Sequence, residues 1–210
     1  MWLAPALAAV ALSAAAGSAA APVPRFTSEV TPVRWADLRH SYRGGCPVGP
    51  AELRTLRLSY WGFDGRAHVG SLVVNRRVAR GVVQVFRRLY AARFPIRRMV
   101  PVSAYRGSDD ASMAADNTSG FNCRFVSGTN RWSMHAYGLA IDVNPVENPY
   151  VSGNRVRPHA GRRYLDRARA GPGMAVAGGV LVEAFARVGW RWGGFWAGTP
   201  DYQHFSTTGR

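Results

Sequence analysis

The stretch LRLSYWGFDGRAHVGSLVVNRRVARGVVQVFRRL, residues Leu56 to Leu89, decides the fold class. Leu56 to Phe63 and Ala67 to Val74 are two β-like runs, and Asp64-Gly65 between them is a turn signal, so this part reads as a β-hairpin. Val78, Val82, Val85, Phe86 and Leu89 then recur at helical spacing, with Asn75 placed to cap the start and Pro95 to stop the run. That pattern predicts a core-packing helix. Working outward, PAELRTL from Pro50 predicts a short helix, while Ile96 to Tyr105 and Leu139 to Val143 predict strands. A second helix is expected over about Met174 to Val188, ended by Gly189 and followed by a strand at Trp190 to Trp192. Strands and helices are intermixed without a β-α-β rhythm. The expected class is α+β, an antiparallel sheet with flanking helices.

Composition narrows the function. The chain has 210 residues and a formal net charge of +15, and all 27 of its basic residues are Arg. With no Lys, Schiff-base, phosphate-loop and Ser-Lys chemistries are excluded. The charge favours anionic partners, namely nucleic acid, a phospholipid surface or an acidic cell-wall polymer. Apolar residues at 47% and aromatics at 11% exclude a disordered chain, and 23 Gly with 13 Pro exclude a long coiled coil.

Residues 1–21, MWLAPALAAVALSAAAGSAAA, carry no charged side chain, hold an apolar stretch and finish in small residues. They read as a secretory signal peptide cut near residue 20 or 21. A retained anchor is the alternative, disfavoured because the run is short and rich in Ala. The domain plan is then a signal over 1–21, an irregular lead-in over 22–48 and one domain over 49–210. The mature protein is expected to be a soluble, exported monomer with no stable membrane span. In an oxidising compartment the even pair Cys46 and Cys123 is expected to form a disulfide.

Chemistry concentrates in two places, Ser133 to Asp142 (SMHAYGLAID) and Asp201 to Phe205 (DYQHF). If Leu139 to Val143 is a strand, Gly138, Ala140 and Asp142 share a face, with small residues clearing space beside the carboxylate. His135, Asp142 and His204 form a mixed nitrogen and oxygen set suited to one zinc ion, with a fourth position left open. Asp201, three residues before His204, is placed to act as a general base.

The two elements together resemble the family of zinc D-Ala-D-Ala carboxypeptidases and L-Ala-D-Glu endopeptidases, which cut peptidoglycan peptides. The family pattern is S-x-H-x-x-G-x-A-x-D followed by an acid-x-x-H. This chain supplies Ser133, His135, Gly138, Ala140 and Asp142, then Asp201 and His204. The flanking text, including SMAADNTSGFNCRFVSG, DVNPVENPYV and WGGFW, extends the likeness over roughly Cys46 to Phe205. The resemblance implies a Hedgehog/DD-peptidase-like zinc fold, a zinc held by His135, Asp142 and His204, and Asp201 activating water. It also implies an arginine that polarises the scissile carbonyl. Arg106 in SAYRG is the nearest match to the family's S-x-Y-R, with Arg124 competing. Ser133 is expected to bind substrate or orient His135, and Trp196 to wall the substrate cleft.

The expected function is an exported zinc metallopeptidase of peptidoglycan stem peptides, cutting either D-Ala-D-Ala or L-Ala-D-Glu and retained on anionic wall polymers. The rival is a non-catalytic zinc-containing module that binds the wall or another polyanion. Nucleic acid is not an expected partner, because no DNA- or RNA-binding motif is present beside the export signal.

Overall fold

The computed structural model describes residues 24–209, so the expected signal peptide lies outside the described residues. Among the described residues ten strands and four α-helices follow one another, in an α+β arrangement whose sheets are mainly antiparallel. β1 (Ser28–Pro32), β2 (Leu53–Trp61) and β3 (Ala67–Asn75) form one antiparallel sheet in the order β1-β2-β3. The β2–β3 hairpin runs in register from Leu53 opposite Asn75 to Trp61 opposite Ala67.

Its two-residue period separates two cores. Leu56, Leu58, Leu72 and Val74 face the main core, whereas Leu53 and Val73 face a smaller one with Leu38, Val48, Phe121 and Cys123. Over the main core lie α2 (Ala79–Ala91), through Val82, Val85, Phe86 and Leu89, and α4 (Val180–Ala186), through Leu181 and Phe185. Phe185 stacks on Phe205 with ring centroids 4.2 Å apart. Phe205 belongs to the second three-stranded sheet, β6 (Ala140–Asp142), β10 (His204–Ser206) and β9 (Arg191–Trp192), with β10 in the centre. The remaining elements are α1 (Trp35–Leu38), β4 (Arg98–Met99), α3 (Asp109–Ala114), β5 (Asn117–Thr118), β7 (Tyr150–Ser152) and β8 (Arg155–Arg157). β4 and β5 pair in parallel. Among the described residues, no helix is long and apolar enough to cross a membrane.

Several local expectations differ from what is seen. The segment expected as an irregular lead-in carries β1, which pairs with β2 along its whole length, and α1, whose Leu38 is buried in the smaller core. β1 is an exposed edge strand held by backbone pairing, so its side chains carry no alternation to read. Pro50 opens a three-residue 3-10 turn, after which the chain goes straight into β2. The stretch expected as a strand over Ile96 to Tyr105 is cut to Arg98–Met99 and continues as a 3-10 turn over Val102–Tyr105. α4 starts only at Val180, because Gly178 takes a left-handed φ of 72° and Gly179 is the N-cap.

Cys46 and Cys123 are joined, 77 positions apart, which ties the lead-in to the irregular segment before the site. In the chain-entropy account such a loop contributes about 4 to 5 kcal/mol. Unreduced protein unfolded in denaturant is therefore expected to show no free thiol. The Cys46→Ser/Cys123→Ser pair should lose about 2 to 5 kcal/mol in urea unfolding. Two reactive thiols per chain would reject the bond.

Between β6 and β7, Glu147 is buried to 1% exposure. Burial pushes its carboxyl up to about 8, and the hydrogen-bonded Asp116 carboxyl adds to the rise. Arg97 pulls the other way, but it lies 3.8 Å from Glu147 with a side chain 47% exposed, too solvated to keep the carboxyl ionised. The folded chain thus holds a proton that the unfolded chain releases. This stabilises the fold below the ordinary carboxylate range and is lost as pH rises towards 8. Glu147→Gln should gain stability over the parent as pH rises, with the gain levelling off above about pH 8. Urea midpoints at about pH 5 and about pH 9 check it; a difference independent of pH would reject the shared proton.

Candidate metal centre

Backbone pairing sets the centre's geometry. In the antiparallel β6–β10 pair His204 stands directly opposite Asp142, so their side chains share a face. His204 Nδ1 lies 3.1 Å from Asp142 Oδ1. On its other side β6 is held by Ser119, which exchanges both backbone hydrogen bonds with Asp142.

His135 arrives on the 3-10 turn Met134–Tyr137. Ser133 caps this turn, its Oγ accepting from the His135 backbone N–H at 3.3 Å, and is itself buried. Of the two roles expected for Ser133, orienting His135 is the one its contacts serve. Gly138 ends the turn with a φ of 66°, and a Cβ there would lie 2.6 Å from the Asn75 nitrogen. Glycine is required on both counts. The close approach lets the Asn75 N–H donate to Gly138 O at 2.8 Å and Asn75 Nδ2 to Tyr137 O at 3.1 Å, fastening the turn to the end of β3.

His135 Nδ1 lies 2.6 Å from Gly120 O. A carbonyl only accepts, so Nδ1 carries the proton and Nε2 presents its lone pair. That lone pair points to Asp142 Oδ1 at 3.2 Å and His204 Nδ1 at 3.3 Å. His204 Nδ1 has at most one proton to give, so two acceptors remain face to face. Burial alone would pull His135 down and push Asp142 up. Their mutual attraction outweighs it, raising His135 and, with His204 assisting, holding Asp142 well below the usual carboxylate range.

These residues fit a metal ion. His135, Asp142 and His204 are all buried and each offers one donor atom to the group. Donors of a tetrahedral zinc site at about 2.0 to 2.1 Å from the ion stand about 3.3 Å apart, and the three separations here are 3.1, 3.2 and 3.3 Å. A cation is also what resolves the facing lone pairs. Gly120 O supplies the partner that fixes a ligating imidazole.

Asp201 sits on the turn before β10, its N–H bonded to Gly193 O at 3.0 Å. Gly193 packs against it so closely that a Cβ would lie 2.7 Å from Asp201 O. Asp201 Oδ1 is buried with no hydrogen-bond partner. Burial first, and then the Asp142 charge, push the Asp201 carboxyl up to about 7, with His204 pulling against them. A carboxyl beside the triad with one oxygen left without a partner, poised near neutrality, suits proton transfer.

Trp196 lies beside the centre, its ring centroid 5.3 Å from that of His204 and its Nε1 donating to Gly209 O. Arg106 takes a left-handed φ of 54° at the end of the Val102–Tyr105 turn, with its side chain exposed. Arg124 is half-buried, its Nη2 2.9 Å from Asp109 Oδ2, and its charge is felt at His135. Of the two arginines, only Arg124 is tied electrostatically to the triad. Gly120 was not singled out from the sequence, and Asn75 was read there only as a cap for α2, whose N-cap is Val78; both act at the centre through backbone geometry that no side-chain pattern announces.

A family model described as D-alanyl-D-alanine carboxypeptidase matches residues 127–207. The matched segment holds His135, Asp142, Asp201 and His204, and begins after both Arg106 and Arg124. No curated protein and no solved structure matches the chain.

Proposed function

We propose that this chain, whose residues 127–207 match the D-alanyl-D-alanine carboxypeptidase family model, is an exported zinc metallopeptidase of peptidoglycan stem peptides, cutting D-Ala-D-Ala or L-Ala-D-Glu bonds. One observation carries the reading: His135 Nε2, Asp142 Oδ1 and His204 Nδ1 converge within 3.3 Å, with the unpartnered Oδ1 of Asp201 beside them. When bound, zinc supplies Lewis-acid polarisation of a carbonyl and acidifies water. Asp201 takes the proton from the attacking water and returns it to the leaving amine. Ser133 keeps His135 aimed, and Trp196 walls the cleft beside His204. An arginine, Arg106 or Arg124, stabilises the negative charge that develops on the carbonyl oxygen.

The disulfide supports an oxidising compartment, in keeping with export after loss of residues 1–21. We assign the mature chain, a monomer, to the DD-peptidase type of fold that Hedgehog domains share. Its catalytic domain is the segment 49–210, buttressed by β1 and α1.

Digestion of purified peptidoglycan with and without a chelator, followed by mass spectrometry, tests the reading. Expected is release of free D-Ala or of fragments cut after L-Ala, abolished by chelation and restored by zinc. An intact peptide profile in zinc-loaded protein would favour the non-catalytic module instead.

A further inference from the structure

Among the described residues, ion pairs with arginine draw on Arg34, Arg97, Arg124, Arg157 and Arg169. Arg76, Arg77, Arg80, Arg87 and Arg88 are in none of them, and all five are exposed. Arg76 and Arg77 lie on the turn leading into α2, and Arg80, Arg87 and Arg88 follow on the helix with exposed Gln84 between them. At 1.5 Å per residue, Arg80 to Arg88 spans about 12 Å along one face. The opposite face is the buried one, through Val82, Val85, Phe86 and Leu89. These five cations are gathered at and along one helix, and α2 has no acid in its first turn to offset them. This face gains from an external anion.

We propose that the arginine face of α2 is a docking surface for a linear phosphodiester polyanion, the chemistry of an anionic wall polymer. Guanidinium forks pair two donors with a phosphate, and a row of them matches a repeating charge. A membrane is the poorer occupant, because none of the exposed large apolar side chains lies between Arg76 and Arg88 to enter the lipid. Single-stranded nucleic acid is poorer too, since Phe26, the aromatic beside this face, is half-buried and already covered by the Arg87 guanidinium, 5.1 Å from the ring centroid. The surface also adjoins the metal centre. Asn75, next to Arg76, is hydrogen-bonded to Tyr137 O and Gly138 O on the turn that carries His135. A polymer held there runs past that turn. The proposal stands whether or not the centre hydrolyses peptides.

The test uses the mature chain and fluorescent poly(glycerol phosphate), with binding measured by anisotropy across a salt series. Arg80→Gln/Arg87→Gln/Arg88→Gln is compared with Arg39→Gln/Arg155→Gln/Arg163→Gln, which removes the same charge from exposed positions elsewhere. The α2 variant should bind at least about tenfold more weakly than the control and show a flatter salt dependence. Arg76→Gln/Arg77→Gln, which leaves the helix untouched, should weaken binding in the same direction. Equal losses in the α2 variant and the control would overturn the localisation, as would no binding by the parent at low salt. Capture by phosphatidylglycerol vesicles without affinity for the polymer would overturn the occupant.

Discussion

Asp201→Asn is expected to lower hydrolysis of stem peptides by about 10²- to 10⁴-fold, the contribution typical of a positioned proton acceptor, while leaving zinc bound. The change keeps the side chain's size and removes its ability to take a proton. In the protein Asp201 Oδ1 is buried without a hydrogen-bond partner, so no structural contact of that oxygen is lost with the charge. The carboxyl stands near 7 because it is buried and because ionised Asp142 repels a second negative charge. A positive charge at the triad works against that repulsion and favours the ionised, proton-accepting form. By the same linkage the loss of the Asp201 charge weakens the pull on a cation, so zinc affinity should fall modestly while the three donors of the triad still hold the ion. Turnover and zinc content on the same preparation decide it. A near-native rate in zinc-loaded Asp201→Asn would remove Asp201 as the base, and loss of zinc would make it a ligand.

How much of this was legible in the sequence depends on the kind of force involved. The hairpin and α2 were readable because one buried face imposes a period: Leu56, Leu58, Leu72 and Val74 on the strands, and Val82, Val85, Phe86 and Leu89 on the helix. The triad was readable because its side chains must be those residue types at those positions. What escaped was structure made by the backbone. β1 is held by pairing along β2, and the turn at His135 is fastened by Asn75 and Gly120 through carbonyl oxygens. The expected helix from Met174 was shortened by Gly178 and Gly179, where a weak helical pattern met residues that prefer other backbone angles. The expected strand after Pro95 gave way for a similar reason. Asn144 and Asn117 take up backbone groups there, Asn144 Oδ1 accepting from Arg97 N and Asn117 Oδ1 from Val100 N, in place of a neighbouring strand.

His204→Ala should lose both properties that Asp201→Asn separates. Removing this imidazole leaves His135 and Asp142, and two protein donors are too few for a tight zinc site. Zinc content is expected to fall from one ion per chain to a small fraction, and hydrolysis to background. The loss should not come from unfolding. His204 is a buried side chain whose Nδ1 contacts run to His135 and Asp142 within the centre, and its Nε2 has no partner. The backbone of β10 keeps its pairing with β6 and β9 through any side chain. What the variant does leave is Asp142 buried with one imidazole in place of two, so its carboxyl is less firmly held in the ionised form. Metal affinity should then depend more steeply on pH than in the parent, since a proton competes for the remaining carboxylate. Circular dichroism verifies the fold, elemental analysis counts the ion and peptide release reports the chemistry. Stoichiometric zinc in a folded His204→Ala protein would reject His204 as a ligand and require a donor other than the three that converge here.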